Sequence, residues 1–333
     1  MSSTASPASG VSGEVPPPHV VEHCLGIVQL LSDGTVKRAP AALVLPDPDG
    51  APLPSADAPG AVRWKDVVYD ETHNLSLRMF VPPAGAGKVP VLVYFHGGGF
   101  CVGSFAEPNF HAACLRLAAS LPAVVLSVQY RLAPEHRLPA AVEDAATFFS
   151  WLRGQADPWL AESADLARTF VSGVSAGANL AHHVVVRLAA RQLAADPVRV
   201  AGYVLLSAFF GSVERTATEA ESPASVSLTA AVDKLWRMAL PVGASRDHPL
   251  ANPFGPDSPS MEPQPLPPAL VVAPGLDTLR GHMRRYAARL KEMGKAVELA
   301  EFKGEQHGFS VRGWGEANDE LVRILKRFVG QMK

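Results

Sequence analysis

The sequence has few cysteines, no excess of either charge and no long apolar run. Its three cysteines, Cys24, Cys101 and Cys114, are too few and too odd in number for a disulfide framework, and no C-x-x-C spacing suggests a zinc or redox site. Lysine plus arginine number 30 against 32 aspartate plus glutamate, a net charge of −2. Because no broad positive surface is available to neutralise phosphates, nucleic acid is not an expected partner.

Membrane insertion and export are not expected either. No uninterrupted apolar stretch approaches the roughly 18 residues that span a bilayer. Residues 1–19 are rich in Ser, Ala and Pro and have neither a basic start nor an apolar run, so they resemble neither a signal peptide nor an anchor. Together with the cysteine usage, these absences predict a soluble protein of a reducing compartment, the cytoplasm, with no membrane partner.

What the sequence does contain is a regular alternation of predicted strands and helices. The chain has 333 residues, of which 47% are hydrophobic, enough for two domains or one large α/β domain with extra elements. From residue 62 onward the alternation predicts a mostly parallel sheet with helices on both faces. The predicted strands cover residues 62–69, 75–81, 89–95, 123–130, 168–172, 198–210, 269–273 and 295–302, and the helices 106–119, 139–152, 177–192, 281–293 and 315–329.

Two segments stand outside this alternation. Residues 20–31 form a short apolar stretch that we predict to be an arm, followed by a Pro-rich loop at 46–60. Residues 211–250 are far longer than the usual connection of about 2 to 6 residues, which predicts an insertion that covers a site. Its apolar residues at helical spacing face either a cavity or only the sheet; they are Val232, Leu235, Trp236, Met238 and Ala239.

The sequence GVSAG at 173–177 satisfies G-x-S-x-G between a predicted strand and a predicted helix. A sharp turn at that place holds the serine hydroxyl above the sheet, and the flanking glycines allow a close backbone approach. Turns rich in Gly, Ser and Ala are also common without any function. Ser175 is the candidate nucleophile because a predicted strand precedes the motif and a predicted helix follows it.

A second motif, HGGGF at 96–100, directly follows the predicted buried strand and precedes the serine by 175 − 96 = 79 residues. Backbone N–H groups in such a loop can bind an oxyanion together with the N–H of the residue after the nucleophile, Ala176. A phosphate-binding loop is the rival interpretation, but neither G-x-x-x-x-G-K-[ST] nor G-x-G-x-x-G occurs here. A turn without function is the remaining alternative.

A serine hydroxyl needs a general base and an acid that orients the base. One established order is Ser, then Asp or Glu, then His, each on a loop after a strand. Asp277 follows the predicted strand 269–273, and His307 follows the predicted strand that ends at Phe302. Both positions lie at carboxyl ends of strands, where open α/β sheets have their sites.

Other ionisable residues fit these roles less well. His182 and His183 lie on the predicted helix after the serine, where solvent exposure or packing explains them. Glu301 and Glu305 are too close to His307 in the same segment to reach behind its ring. No H-E-x-x-H motif occurs, and a Ser-His-Asp set needs no metal, so we expect neither a metal nor a cofactor.

Several motifs in one order resemble those of the hormone-sensitive-lipase-like branch of the α/β-hydrolases, and within it the plant carboxylesterases. The resemblance runs from about residue 20 to the C-terminus. It implies an α/β-hydrolase fold over residues 61–333, a cap formed by the 1–60 tail and arm with the insertion at about 211–250, and hydrolysis of small-molecule esters. The motifs are HGGGF at 96–100, YRLAPEHRLPA at 130–140, GVSAG at 173–177, NPFGP at 252–256 and HGF at 307–309.

The same resemblance implies roles for individual residues. Ser175 is the nucleophile, His307 the general base and Asp277 its orienting acid. The implied oxyanion donors are the N–H groups of Gly98, Gly99 and Ala176. Apolar residues beside these motifs or in the predicted cap suit an apolar ester, although core packing explains each almost as well; they are Phe100, Val102, Val174, Phe209, Trp236 and Phe309.

Three positions depart from the family pattern. Val174 stands where the family often has Asp, Ala178 where it often has a further Gly, and Gly281 where the acid motif D-x-L-x-D has its last Asp. None of these positions is a member of the Ser-His-Asp set. They leave open the polarity of the pocket and the support of the turn at the serine.

Finer similarities suggest a substrate. Residues 25–36, 209–216 and 235–256 are similar to those of the plant carboxylesterase that inactivates strigolactones, which predicts a strigolactone as substrate.

A related isoflavanoid dehydratase group can carry threonine as nucleophile, whereas this chain has Ser175. The competing class is a hormone-binding receptor with little or no turnover, although the gibberellin receptor lacks the histidine that is present here as His307. A structural interaction module has little support beyond the Pro-rich segments, and the sequence does not indicate an oligomeric state.

Overall fold

The computed structural model describes residues 16–40, 49–50, 61–83, 85, 87–154 and 157–332. Residues 1–15 of the predicted tail and arm at 1–60, and most of the Pro-rich loop at 46–60, therefore lie outside the described residues. The described strands are β1 (Val20–Cys24), β2 (Val28–Leu31), β3 (Val36–Arg38), β4 (Asp49–Gly50), β5 (Arg63–Asp70), β6 (Leu75–Val81), β7 (Val89–Phe95), β8 (Val124–Val128), β9 (Ala164–Val174), β10 (Val200–Leu206), β11 (Ala269–Pro274), β12 (Val297–Phe302) and β13 (Gly313–Trp314). The described α-helices are α1 (Pro108–Ser120), α2 (Ala140–Arg153), α3 (Pro158–Ser163), α4 (Ala176–Ala189), α5 (Pro223–Ala239), α6 (Arg280–Glu292) and α7 (Glu316–Gln331).

Eight strands form the central sheet, in the order β12-β11-β10-β9-β7-β8-β6-β5. The six strands from β12 to β8 pair in parallel. Strand β6 runs antiparallel to both of its neighbours, β8 and β5. The predicted mostly parallel sheet is confirmed.

Strand β7 shows why its apolar run is continuous. Val91, Val93 and Phe95 belong to the core on one face of the sheet, whereas Leu92 and Tyr94 belong to the core on the other. The first core includes residues of α2, α4 and α6, and the second includes residues of α1 and α7. A strand covered by helices on both faces buries every side chain, so its sequence does not alternate.

One predicted strand is too long, and one short helix was not predicted. The strand predicted over 198–210 ends at Leu206, because Ser207 adopts a positive φ of 48° that interrupts the extended chain. Helix α3 was not predicted from periodicity. It is short, and it begins with Asp157, whose side chain accepts the N–H of Trp159, followed by Pro158 in the first turn, an ordinary start signal.

The arm is a small antiparallel sheet of β1, β2 and β3 that packs against α5 of the 211–250 segment. The Cys24 thiol donates to the carbonyl of Ala231 at 3.4 Å, and Glu22 pairs with Arg237 at 2.9 Å. At the other end of the arm, the Arg38 guanidinium donates to the carbonyl of Cys101 at 2.7 Å, to the carbonyl of Ala133 at 2.9 Å and to the carboxylate of Glu135. The arm is thus joined both to α5 and to the loops that follow β7 and β8.

All three cysteines are free and buried. Within the described ranges, every helix is too short or too polar to traverse a lipid bilayer.

Candidate active site

Ser175 occupies a strained turn between β9 and α4. Its φ of 55° and ψ of −117° fall in a region that non-glycine residues rarely adopt. The turn is fixed by its backbone, because the Ser175 N–H donates to Leu206 and its carbonyl accepts from Phe209. A Cβ at Gly177 would lie 2.0 Å from the carbonyl oxygen of Phe95, and one at Gly173 would lie 2.3 Å from the backbone of Gly177. The G-x-S-x-G pattern is therefore required by packing.

Three side chains from separate loops meet at this turn. His307 Nε2 lies 2.9 Å from Ser175 Oγ, and His307 Nδ1 lies 2.7 Å from Asp277 Oδ2. Asp277 is 1% exposed, and its other oxygen accepts the N–H of Leu279 at 2.8 Å. A carboxylate can only accept hydrogen bonds, so the ring proton sits on Nδ1. His307 Nε2 is then free to accept the Ser175 hydroxyl proton.

The loop after β7 lies against the serine and offers backbone donors. Gly98 and Gly99 have φ values of +120° and +59°, and a Cβ at Gly98 would lie 2.0 Å from the carbonyl oxygen of Val102. Among the hydrogen bonds of the described residues, none uses the N–H of Gly98 or of Gly99. Ala176 is the first residue of α4, whose early N–H groups lack intrahelical acceptors. These donors are available to an anion beside Ser175.

His96 fixes this loop rather than facing the serine. Its ring is fully buried and stacks on Tyr130 with centroids 4.2 Å apart, and Nδ1 hydrogen-bonds the carbonyl of Gly97 at 2.8 Å. Burial lowers the pKa of His96 to about 4, so the ring is neutral and Nδ1 carries the donated proton. The Tyr130 hydroxyl donates to the carbonyl of His96 at 2.8 Å, which links the two sequence motifs that contain these residues.

Ser175 opens into a cavity of about 220 Å³ with mainly apolar walls. Three of the predicted substrate-binding residues, Val102, Val174 and Phe209, line it. Periodicity in the insertion indicated two more, Val232 and Leu235. Other residues of the wall were not predicted from the sequence. They come from the arm, from α5, from α1 and the loop before it, and from the loops around Asp277 and His307; they include Cys24, Leu25, Ile27, Glu107, Phe110, Leu228, Ala231, Leu279, Val311 and Arg312.

The other three predicted substrate-binding residues, Phe100, Trp236 and Phe309, do not line the cavity. Trp236 is 1% exposed and stacks on Phe209 at 4.3 Å between centroids, and Phe100 packs against both rings. Phe309 packs on Phe302, in the core on the other face of the sheet. The side chains of these three residues belong to the core, and of the rings that contact Trp236 and Phe100, Phe209 lines the cavity.

Helix α5 is apolar on two faces, which resolves the two interpretations of its spacing. Leu228, Ala231, Val232 and Leu235 follow one another at helical intervals and face the cavity. Trp236, Met238 and Ala239 are almost fully buried away from it. Both interpretations therefore hold, each for a different face of the helix.

Truncation of Trp236 tests whether its indole is a core side chain. We expect Trp236→Ala to lower the free energy of unfolding by about 3–5 kcal/mol, because it leaves a large void between Phe209 and Phe100. Chemical denaturation measures the change. Val242→Ala, at a side chain that is 86% exposed, is the control, with an expected change within about 0.5 kcal/mol. A loss below about 1 kcal/mol for Trp236→Ala would contradict its core position.

The loop that carries Asp277 is held by the 211–250 segment. The hydroxyl of Thr218 donates to the carbonyl of Thr278 at 2.8 Å, and the hydroxyl of Thr278 donates back at 3.3 Å. A Cβ at Gly281 would lie 2.6 Å from the Cβ of Thr216. A residue larger than glycine would collide there, so the insertion packs directly against the first turn of α6.

A buried ionic cluster supports the same loop. Glu219 is 2% exposed and contacts His282 of α6 at 3.1 Å and Arg215 at 3.0 Å. Burial alone would raise the pKa of Glu219, but hydrogen bonds from His282 and from the backbone of Thr216 outweigh it and lower that pKa to about 2. Thr216 and Glu219 form a capping box, a T-x-x-E signal that is readable in the sequence. Among the described residues, no set of three or more ligating side chains is arranged to hold a metal ion.

Known proteins are similar to this chain over most of its length. A family model described as the alpha/beta hydrolase fold matches residues 92–311. The chain is 36% identical over 301 residues to probable carboxylesterase 8 of Arabidopsis thaliana, a match that covers 86% of each chain. It is 33% identical over 282 residues to tuliposide A-converting enzyme 1, chloroplastic, of Tulipa gesneriana, covering 82% of this chain and 70% of that one.

Solved structures give a similar result. A hyperthermophilic esterase from the archaeon Pyrobaculum calidifontis superposes with a TM-score of 0.70 at 30% identity, covering 81% of this chain and 86% of that chain. The segment matched by the family model contains the HGGGF loop, Ser175, Asp277 and His307.

Proposed function

The chain belongs to the alpha/beta-hydrolase family, among the plant carboxylesterases, and is a carboxylic ester hydrolase; on that premise we propose that it cleaves small apolar esters through an acyl-enzyme on Ser175. The predicted α/β-hydrolase fold and the predicted enzyme class are confirmed. The observation that carries the proposal is the continuous hydrogen-bonded chain from Asp277 through His307 to Ser175 at the wall of an apolar cavity.

In the first half of the proposed reaction, Ser175 Oγ attacks the ester carbonyl while His307 Nε2 takes the hydroxyl proton. The carbonyl oxygen becomes an oxyanion that accepts hydrogen bonds from the N–H groups of Gly98, Gly99 and Ala176. The bond to the alcohol oxygen then breaks, and His307 gives its proton to the leaving alcohol. The acyl group remains as an ester on Ser175.

In the second half, a water molecule attacks the acyl carbonyl and His307 Nε2 takes its proton. The same backbone donors bind the second oxyanion. The bond to Ser175 Oγ breaks, the carboxylic acid leaves, and the proton returns from His307 to the serine. Asp277 stays ionised throughout, where it orients the ring and stabilises the imidazolium.

We further propose that the arm, within the 1–60 segment, and the insertion at 211–250 act together as a cap over the α/β domain of residues 61–333. Leu25 and Ile27 of the arm and Leu235 of α5 line the same cavity as Ser175, Asp277 and His307, which supports the proposal. A cap of this kind excludes water from the acyl group before the second half of the reaction.

Within this function we propose a strigolactone as substrate. The three stretches that are similar to the strigolactone-inactivating carboxylesterase each supply a side chain to the cavity wall, namely Leu25, Phe209 and Leu235. Pocket walls select substrates whereas motifs identify chemistry, so similarity in these walls bears on the substrate. The mainly apolar wall suits a lactone ligand without charge.

The test compares hydrolysis of a synthetic strigolactone and of p-nitrophenyl butyrate by the purified chain, with Ser175→Ala as the variant without turnover. We expect kcat/KM for the strigolactone to exceed that for the simple ester by about tenfold or more, the discrimination that pocket contacts typically supply. Turnover of the simple ester alone would refute the strigolactone proposal and leave the esterase. Tight strigolactone binding without turnover of either compound would instead favour a receptor.

We also propose the cytoplasm as the place of action. Three free and buried cysteines support it, because none of them needs an oxidising compartment. The tulip relative's name places that protein in the chloroplast, and the position of a fluorescent fusion of the full chain would decide between the two.

A further inference from the structure

One carboxyl group on the cavity wall has no part in the proposed reaction. Glu107 directly precedes α1, is half-buried, and lines the cavity together with Gly103, Phe110 and Val311. Its backbone is held in place, because its N–H donates to the carbonyl of Ser104 at 3.1 Å and its carbonyl accepts the N–H of His111 at 2.9 Å. The backbone that carries the Glu107 side chain is therefore fixed by the fold.

The Glu107 side chain does not cap the N-terminus of α1. A residue at this position usually accepts an N–H of the first helical turn through its side chain, yet Glu107 makes no such bond. Among hydrogen bonds and ion pairs within the described part of the chain, none involves its carboxylate. Burial raises the pKa of Glu107, and no neighbouring cation offsets that effect.

Such a carboxylate is costly in apolar surroundings unless a donor reaches it. The other charged or ionisable groups on the cavity wall are Asp277 and His307, which bond each other, the Cys24 thiol, which donates to Ala231, and the exposed Arg312. Arg312 lies outside ion-pair distance of Glu107, since no ion pair within 4.0 Å joins them. A substrate group that donates a hydrogen bond would satisfy Glu107 and would meet no competing protein donor there.

We propose that Glu107 binds a hydrogen-bond donor of the substrate, a hydroxyl or an ammonium group carried on the ester at a distance from the reacting carbonyl. Glu107 then selects esters that are apolar around the carbonyl and polar at one end. This inference rests on the proposed esterase function, to which it adds a specificity-determining residue. Because the wall around Glu107 is otherwise apolar, the expected effect is on the choice among esters rather than on the chemical step.

The experiment uses two ester series with the full chain. In the first, p-nitrophenyl hexanoate is compared with its terminal-hydroxyl and terminal-ammonium analogues. In the second, propyl butyrate is compared with esters of alcohols that carry the same terminal groups. For each series the readout is the ratio of kcat/KM for the donor-bearing ester to kcat/KM for the plain ester, measured for the wild type, Glu107→Gln and Glu107→Leu.

We expect the ammonium ratio to fall by about ten- to hundredfold in Glu107→Gln, the range for a hydrogen bond to a charged group. Both donor ratios should fall in Glu107→Leu. Glu162→Gln removes the same charge from an exposed site on α3, and its ratios should match the wild type. The thermal midpoint of each variant shows whether it is folded, and the two Glu107 variants serve as independent tests.

Unchanged ratios in both series for folded Glu107 variants would overturn the inference. That result would mean that water satisfies the carboxylate and that no substrate group contacts it. Failure of the wild type to hydrolyse even the plain esters would instead overturn the proposed function. The two failures are therefore distinguishable.

Discussion

Replacing Ser175 by alanine is expected to reduce kcat for p-nitrophenyl butyrate by roughly 10⁵- to 10⁶-fold, the largest effect of any single substitution in this chain. Without the hydroxyl, no acyl-enzyme can form, and water must attack the ester directly. The backbone donors of the HGGGF loop remain, so a small residual rate above that in water is expected. The substitution changes one atom at a turn whose conformation is set by its backbone hydrogen bonds, so the fold should persist.

Ser175→Ala and His307→Ala are expected to combine non-additively. His307 acts only by moving the Ser175 proton, since its Nε2 faces that oxygen at 2.9 Å. His307→Ala should therefore lose nearly as much activity alone, and the double variant should lose little more than either single variant. Additive losses would show that the two side chains act independently, which would contradict the proposed reaction.

Steady-state kinetics and intact-mass spectrometry together provide the measurement. A phosphonate ester that mimics the tetrahedral intermediate should add to the wild type once, and the labelled peptide should contain Ser175. Ser150→Ala is the matched control, because that serine is exposed on α2 and bonds only the carbonyl of Ala146 within its own helix. Full activity in Ser175→Ala would end the catalytic assignment.

The second large effect is expected for Asp277→Asn, a loss of about 10⁴-fold in kcat. The carbonyl of asparagine can still accept the N–H of Leu279, as Oδ1 of Asp277 does at 2.8 Å. Its amide NH₂ would then face His307 Nδ1 and donate to it. The ring proton would move to Nε2, which could no longer accept the proton of Ser175.

A loss of kcat through misorientation of His307 must be distinguished from a loss of stability. Asp277 is almost fully buried, so the free energy of unfolding is measured beside kcat, with the exposed Asp257→Asn as the control. A fully folded variant with a loss near 10⁴-fold supports the tautomer argument. A loss below about tenfold would mean that a different acid orients His307.

Short-range sequence patterns were sufficient to predict the residues that meet at Ser175. Gly173 and Gly177 lie where a Cβ would collide with backbone, so the pattern around Ser175 follows from packing over a few residues. Asp277 and His307 each follow a strand, and parallel strands bring their carboxyl ends to one edge of a sheet. The continuous apolar strands made that sheet predictable as well.

The cavity wall was less predictable, because it depends on which way each side chain faces in the folded chain. Leu235 lies on the wall whereas the adjacent Trp236 lies in the core, and both faces of α5 are apolar. Leu25 comes from a hairpin whose partner helix is about 200 residues away in sequence. Phe309 was predicted to bind substrate because it lies near His307 in sequence. That prediction was wrong, since the Phe309 ring packs in the core on the other face of the sheet.

The long separation between the arm and α5 has a consequence for synthesis of the protein. Cys24 and its partner Ala231 are 207 positions apart, so the arm leaves the ribosome long before the helix on which it packs. At a translation rate of roughly 5–20 residues per second, the arm waits about 10–40 s. During that interval Val20, Val21 and Leu25, which stay exposed even in the finished chain, are available to chaperones. The cavity is therefore closed late, after most of the central sheet has been translated.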